Sequence, residues 1–195
     1  MTEKDYNYYT GILKQRLSEK RYYHSLCVAD SCVRLCEKYG GDKEKMYLAG
    51  LLHDIMKEAG KDEVFSLCKK YGYVMTELEK RSHKLWHAPA GAVYVKYELK
   101  IDDPVIFSAI KYHTTGRENM TQEEKILFIA DFISADRNYD DVDVIRSKAE
   151  ISLEDAMIYG LSYTIRDLSK RNIPIHPDTV ACYNDTVLKK DDRDY

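Results

Sequence analysis

Apolar residues recur along this chain at intervals of three and four, with almost no sustained alternation of apolar and polar residues. That spacing places them on one face of an α-helix, whereas a half-buried strand needs a period of two. Only nine glycines and four prolines interrupt the pattern over 195 residues. The sequence therefore predicts an all-α fold. Its length and even composition predict one compact helical bundle over residues 1–188, followed by a charged tail at 189–195.

Helix boundaries follow from a few breaking and capping residues. A helix that carries the adjacent pair His53-Asp54 is expected to continue to Gly60. Pro89 is expected in the first turn of another helix, because proline lacks only a donor that is unpaired there. Residues 172–178 are expected to be non-helical, since two prolines push the residues before them towards extended geometry.

Charge and composition limit the classes of partner. A net charge of −3 gives no general attraction to polyanions, so nucleic acid is not expected as a partner. The segment 1–6 is charged and no long apolar run follows, which predicts a cytoplasmic protein that does not bind membranes. Five cysteines without a CxxC pair fit neither a disulfide framework nor a zinc knuckle. The 17 tyrosines and Trp86 leave a homodimer open, although scattered aromatic residues are more often core.

Two histidines and two aspartates predict a metal site. His53 and Asp54 point about 100° apart on an apolar helix, so they cannot both reach solvent. Asp131 lies in the apolar run 127–133, where a carboxylate is disfavoured without a cation or several donors. His24 lies in a third helical stretch, and alone it could equally be a hydrogen-bonded core residue. Nitrogen and carboxylate ligands suit zinc, iron or manganese, so the four residues together predict one such ion.

Further polar residues could meet a phosphate beside that ion. His87 and His113 each precede a chain turn, and each could bind a second metal, donate to a phosphate or protonate a leaving oxygen. Lys57 lies one helical turn beyond the first member of the adjacent pair, on the same face. Arg21 and Arg137 carry guanidinium groups that suit phosphate oxygens.

These residues occur within longer strings whose order and spacing are specific. Together they resemble the HD-domain metal-dependent phosphohydrolases, which carry the pattern H…HD…H…H…D along an all-α fold. The strings look like the bacterial YqeK family across nearly the whole chain. They are Arg21–His24, Leu52–Lys57, Leu85–Ala92, Tyr112–Arg117 with Met120-Thr121, Ala130–Arg137 and Ile173–Asp178.

The resemblance implies symmetrical hydrolysis of diadenosine tetraphosphate, and of similar dinucleoside tetraphosphates, to two nucleoside diphosphates by a metal-activated water. It implies iron as one or two ions, with other divalent transition metals left open. The implied metal ligands are His24, His53, Asp54 and Asp131. Catalytic roles are expected for Asp54, Lys57, His87 and His113, with the general acid being either histidine.

The same resemblance implies which residues surround a nucleoside diphosphate. At position 176 the family is expected to have an aromatic residue where this chain has histidine, which leaves the nucleobase preference open. The expected substrate-binding residues are Arg21, Asp54, Ile55, Met56, Lys57, His87, His113, Thr114, Arg137, Pro174, Ile175, His176, Pro177, Asp178 and Thr179.

Three alternatives stay open at this point. The chain could be another HD-type nucleotidase or phosphodiesterase, acting on deoxynucleotides, cyclic nucleotides or guanosine polyphosphates. It could be a regulator that binds nucleotide without turnover, although binding a nucleoside diphosphate does not need a full set of metal ligands. In a wholly structural protein, every histidine would be satisfied in the core.

Overall fold

The computed structural model describes residues 2–191, and within that range the chain forms eleven α-helices and no strand. The predicted all-α fold is therefore confirmed. No helix in the described range is long and apolar enough to span a membrane. The helices are α1 (Glu3–Arg16), α2 (Glu19–Tyr39), α3 (Lys43–Leu52), α4 (Lys61–Lys70), α5 (Glu77–Arg81), α6 (His83–Tyr97), α7 (Pro104–Tyr112), α8 (Gln122–Ile133), α9 (Val142–Ala149), α10 (Leu153–Lys170) and α11 (Pro177–Asp191).

Four helices form the centre of the molecule. The long helix α2 packs against α3 and α8, while α7 packs against α3, α6 and α8. Their contact faces carry large side chains that are at most 1% exposed, including Leu51 of α3, Ile110 of α7 and Phe128 of α8. Burial of these apolar faces is the main force that holds the helices in place.

A glycine sets the distance between α2 and α3. A Cβ atom at Gly50 would lie only 2.8 Å from Cα of Ala29 and 3.1 Å from Sγ of Cys32. A side chain at position 50 would therefore separate the two helices. The close approach matters for function because His24 lies on α2 and His53 follows α3 directly.

The helix that leads to the His53-Asp54 pair is shorter than predicted. It ends at Leu52, and His53 is its C-cap residue. The chain then continues in turns, with the amide of Ile55 donating to the Leu52 carbonyl at 3.1 Å and that of Lys57 to the Asp54 carbonyl at 2.8 Å. The prediction of a helix continuing to Gly60 is wrong, and the pair lies at a helix end.

Two predictions that rest on proline are also wrong. Pro89 lies inside α6, six residues after its start at His83, and not in a first turn. The buried stretch 87–93 keeps this helix continuous despite the missing donor. Pro177 is the first residue of α11, so the non-helical segment ends before residue 177.

Helix α11 continues through residue 191, which places the first part of the predicted tail, 189–191, inside a helix. Residues 192–195 of that tail lie outside the described residues. Helix α9 was not predicted from the sequence either.

Candidate metal centre

The four residues predicted as metal ligands converge at the centre of the bundle. His24 comes from α2, Asp131 from α8, and His53 and Asp54 from the end of α3. Nε2 of His24 lies 2.9 Å from Oδ1 of Asp131 and 3.9 Å from Oδ2 of Asp54. Nε2 of His53 lies 3.4 Å from the same Asp54 oxygen and 3.9 Å from Asp131 Oδ1. Nε2 of each histidine therefore lies within 3.9 Å of an oxygen of both carboxylates.

The His53 ring leaves an unsatisfied acceptor at that point. Its Nδ1 lies 2.7 Å from the Gly50 carbonyl, which can only accept, so Nδ1 carries the proton. Nε2 then carries a lone pair, is fully buried, and has no hydrogen-bond partner among the described residues. Asp54 Oδ2 lies 3.4 Å and Asp131 Oδ1 lies 3.9 Å from this nitrogen, and both oxygens are acceptors. A buried acceptor that faces acceptors needs a cation between them.

The His24 ring is held from its other nitrogen by Asp136. Nδ1 of His24 lies 2.8 Å from Oδ2 of Asp136, whose other oxygen accepts from the Ser134 hydroxyl at 2.7 Å. Burial opposes ionisation of Asp136, but Ser134 and His24 outweigh it and lower the pKa. This orientation directs Nε2 of His24 towards Asp131. Asp136 was not predicted from the sequence, although metal-binding histidines commonly donate their second N–H to a carboxylate.

The spacing of the four atoms fits a transition-metal ion. Metal–ligand bonds of about 2.1 Å place neighbouring ligand atoms about 3.0–3.4 Å apart and opposite ones about 4.2 Å apart. The four measured separations lie between 2.9 and 3.9 Å. Mixed imidazole and carboxylate donors suit zinc, iron or manganese. The residues present therefore fit the group that the sequence predicted.

The second oxygen of Asp54 faces a separate group of side chains. Its Oδ1 lies 3.3 Å from Nε2 of His87, 3.6 Å from Nε2 of His113 and 3.5 Å from Nζ of Lys57. The Lys57 ammonium donates to His87 Nε2 at 2.9 Å, and the Thr114 hydroxyl lies 3.1 Å from the same nitrogen. The predicted catalytic residues and Thr114 therefore form one cluster with Asp54.

His113 repeats the arrangement of His53. It caps α7, and its Nδ1 lies 2.7 Å from the Ile110 carbonyl, so Nε2 again carries the lone pair. Two groups of residues could hold an ion: His24, His53 and Asp131, or His53, Asp54 and His113. Both groups need Nε2 of His53, which has a single lone pair. They are therefore alternatives at that atom.

Burial and neighbouring charge set the protonation of these groups. Burial disfavours ionised Asp54, but His53, His113 and Lys57 outweigh it and hold its pKa well below the usual value. Burial followed by the Lys57 charge lowers the pKa of His87 well below the usual value. Burial also lowers the pKa of His113, against the opposing effect of Asp54. Both imidazoles are therefore neutral at pH 7.

Two arginines lie beside the carboxylates. Nη1 of Arg21 donates to Oδ2 of Asp54 at 2.8 Å. Arg137 forms an ion pair with the Asp131 carboxylate and donates from Nε to the Asp131 carbonyl at 2.7 Å. Burial opposes ionised Asp131, but Arg137 and His24 hold its pKa well below the usual value. Both arginine side chains are partly exposed.

The remaining predicted substrate-binding residues do not all reach this centre. Ile55 and Met56 are each 1% exposed in the hydrophobic core, so their side chains cannot contact a ligand. The turn after α3 directs both apolar side chains inward, which leaves only their main-chain atoms for a ligand. Their expected place around a nucleoside diphosphate stays a prediction.

The segment 174–179 lies beside a cavity of about 480 Å³, which we call the loop cavity. His176 is almost buried; its Nδ1 accepts from the Asp178 amide at 3.2 Å, and Nε2 has no partner among the described residues. Pro174 lines a neighbouring cavity instead, and Thr179 is buried. The loop cavity is lined by Tyr73, Val74, Thr76, Leu78, Glu79, Lys111, Tyr112, Thr115, Ile175, His176, Pro177 and Asp178.

Another cavity, of about 290 Å³, opens beside Asp131; we call it the aromatic cavity. Its lining consists of Asp131, Phe132, Arg137, Tyr139 and Tyr163. The sequence did not predict it, because its tyrosines come from separate segments that carry no recognisable motif.

Comparison with known proteins covers the same residues. A family model described as HD domain matches residues 21–136. That range includes the four predicted metal ligands, which we call the ligand cluster: His24, His53, Asp54 and Asp131. Proteins named "Bis(5'-nucleosyl)-tetraphosphatase, symmetrical" are similar to this chain. The one from Halalkalibacterium halodurans is 38% identical over 92% of this chain and 95% of its own length. The one from Bacillus subtilis is 37% identical over 88% of this chain and 92% of its own length.

A solved structure supports the fold. The crystal structure of a predicted HD superfamily hydrolase involved in NAD metabolism, from Clostridium acetobutylicum, matches with a TM-score of 0.91 at 36% identity. The match covers 94% of this chain and 97% of that protein.

Proposed function

The chain belongs to the HD-domain family, and we propose that it hydrolyses diadenosine tetraphosphate and related dinucleoside tetraphosphates symmetrically, giving two nucleoside diphosphates. The observation that carries this proposal is the unpaired Nε2 of His53, which faces two carboxylates inside a cluster of nitrogen and oxygen donors. Relatives that share more than a third of the residues over nearly the whole chain carry that activity in their names.

We propose that His24, His53, Asp54 and Asp131 hold one ion, and that the native ion is iron. The donor set supports a first-row transition metal. A single ion is supported because both candidate ligand groups need the same nitrogen of His53. A second ion between Asp54 Oδ1 and His87 would have to displace the Lys57 ammonium, which donates to His87 Nε2 at 2.9 Å and lies 3.5 Å from that oxygen.

The protein groups around the ion would stabilise the polyphosphate. When bound, the ion would acidify a water molecule and withdraw charge from the attacked phosphate. Lys57 and Arg21 lie on the two sides of Asp54, with Arg137 beside Asp131. Their positive charges would neutralise the phosphate oxygens as charge develops during in-line attack at an inner phosphate. Asp54 would also orient the attacking water.

His87 is the better placed of the two candidate acids. Its Nε2 already accepts a hydrogen bond from the Lys57 ammonium and lies 3.3 Å from Asp54 Oδ1, which favours the protonated ring. Burial keeps the ring neutral, but a bound polyphosphate brings negative charge that raises an imidazole pKa. His87 would then protonate the departing phosphate oxygen, while His113 and Thr114 hold the chain.

We propose that one nucleoside diphosphate lies towards the loop cavity, where the buried Nε2 of His176 carries a hydrogen that has no acceptor within residues 2–191. That donor would bond to an acceptor on the edge of the base. The cytoplasmic location and the homodimer expected from the sequence stay predictions. Cell fractionation and light scattering would test them.

Identification of products tests the activity. Protein purified without oxygen should contain iron and convert diadenosine tetraphosphate to ADP alone. Release of AMP with ATP would contradict symmetrical cleavage. Turnover of only deoxynucleotides, cyclic nucleotides or guanosine polyphosphates would favour the other HD-type enzymes, and binding without turnover would favour a regulator.

A pair of variants tests the metal ligands. Asp131→Ala should abolish activity and remove most of the metal, because it deletes a ligand oxygen. Asp102→Ala is the matched control, since the Asp102 side chain is 77% exposed and forms a surface ion pair with Lys96. It should keep both metal and activity. Retained hydrolysis in Asp131→Ala would remove Asp131 from the mechanism.

A further inference from the structure

The substrate proposed above carries two nucleosides, whereas the loop cavity accounts for one. The aromatic cavity lies next to Asp131, on the other side of the ligand cluster. Resting on the proposed function, we infer that the aromatic cavity binds the second nucleoside, the one that leaves with the departing nucleoside diphosphate.

Asp54 shows how the two cavities are arranged about the reaction centre. Its Oδ1 faces His87 and His113, and Thr114 beside them is followed directly by Thr115 of the loop cavity. Its Oδ2 lies 3.9 Å from Nε2 of His24. The same nitrogen lies 2.9 Å from Oδ1 of Asp131, which lines the aromatic cavity. The ligand cluster therefore borders the aromatic cavity through Asp131, and the loop cavity begins one residue beyond Thr114. That order suits a substrate with a base at each end of a polyphosphate.

The lining of the aromatic cavity has the chemistry that a nucleobase needs. The rings of Tyr139 and Tyr163 lie 5.7 Å apart between centroids, inclined by 41°. The Tyr139 hydroxyl donates to the Phe132 carbonyl at 3.0 Å, which fixes that ring in place. Aromatic faces stack on any base and lose little entropy when they are already held.

Arg137 supplies a charged group between these rings and the metal cluster. Its contacts with Asp131 and His24 use Nε and Nη2. Within residues 2–191, Nη1 makes no hydrogen bond, so two N–H groups remain for a phosphate or ribose oxygen. The volume of about 290 Å³ lies near the lower end of ligand cavities, roughly 300–1,000 Å³, and suits a single nucleoside.

Two substrates separate this subsite from the rest of the reaction. Diadenosine tetraphosphate has a second nucleoside, whereas adenosine tetraphosphate ends in free phosphate and would give ADP and pyrophosphate. The quantity measured is the ratio of kcat/KM for the first substrate to that for the second. Tyr163→Leu should lower this ratio roughly tenfold, because base–aromatic stacking is lost. Tyr163→Phe, which keeps the ring, should preserve it.

The control variants are compared by the same ratio of the two kcat/KM values. Tyr159→Leu changes a tyrosine of the same helix that lies outside both cavities, and it should leave the ratio at the wild-type value. His176→Ala should lower kcat/KM for both substrates. An unchanged ratio in Tyr163→Leu, or a wild-type enzyme that does not favour the dinucleotide, overturns the second subsite while the proposed function stands. Wild-type protein that releases no ADP from either substrate overturns both.

Discussion

Replacement of Gly50 by alanine should weaken metal binding, although Gly50 touches no ligand of the ion through a side chain. The added Cβ would lie 2.8 Å from Cα of Ala29, and ordinary contact begins at 3.4 Å, so the shortfall is 0.6 Å. The clash is with main-chain atoms, which cannot rotate away. Helix α3 must therefore move from α2 by about that distance, and His53 moves with it relative to His24.

The expected loss follows from how closely ligand geometry must be kept. Functional groups need to stay within about 0.5 Å of their working positions, and a displacement near 1 Å can reduce the rate by about 100-fold. We therefore expect metal affinity and kcat/KM to fall about tenfold or more. Overpacking destabilises by about 1–3 kcal/mol, opposed by about 1 kcal/mol of helix propensity gained over glycine.

The assay combines chelator competition for the metal, initial rates of ADP release and thermal unfolding. Gly11→Ala is the matched control, because a Cβ there meets nothing within 4 Å in the described structure. It should stabilise the protein by about 0.5–1 kcal/mol and leave the metal affinity unchanged. A Gly50→Ala protein with wild-type metal affinity and rate would show that the α2–α3 distance does not set the ligand spacing.

Three further changes have expected outcomes. Asp136→Ala should weaken metal binding about 10–100-fold with the fold intact by circular dichroism, because His24 loses the carboxylate that orients it; wild-type affinity would exclude that role. Glu124→Ala should destabilise the protein by about 2 kcal/mol or more in urea unfolding, since its buried carboxylate accepts from the Thr121 amide and Arg117. Chelation should abolish activity and lower Tm, and ferrous iron should restore both; an unchanged Tm would contradict a metal that binds the folded state.

The ligand cluster could be predicted because three of its four members are polar residues in an apolar surrounding. Asp131 and the His53-Asp54 pair stand out for this reason, and the helical period around them is local information. The family pattern H…HD…H…H…D adds His24, His87 and His113 to these residues. The turn after α3 could not be predicted in the same way. It depends on the bond from His53 to Gly50 and on the contact of Gly50 with another helix.

Contacts between distant segments explain the other features that the sequence does not predict. Asp136 meets His24 across 112 positions of sequence, and no local pattern connects the two. Tyr139 and Tyr163 come together only when the segment after α8 packs near α10. Pro89 lies inside a helix and not in the predicted first turn, because burial of that helix outweighs the local preference of proline.

His53 and His113 each serve as the last cap of a helix and present the opposite nitrogen to the active centre. Carbonyls in a final turn lack partners within the helix, and these imidazoles satisfy one in each case. A substitution at either position is therefore expected to remove a proposed ligand or catalytic group and to fray a helix end in the same step. Natural selection cannot tune reactivity and folding independently at these two positions, and an inactive descendant of this enzyme would still tend to retain both histidines.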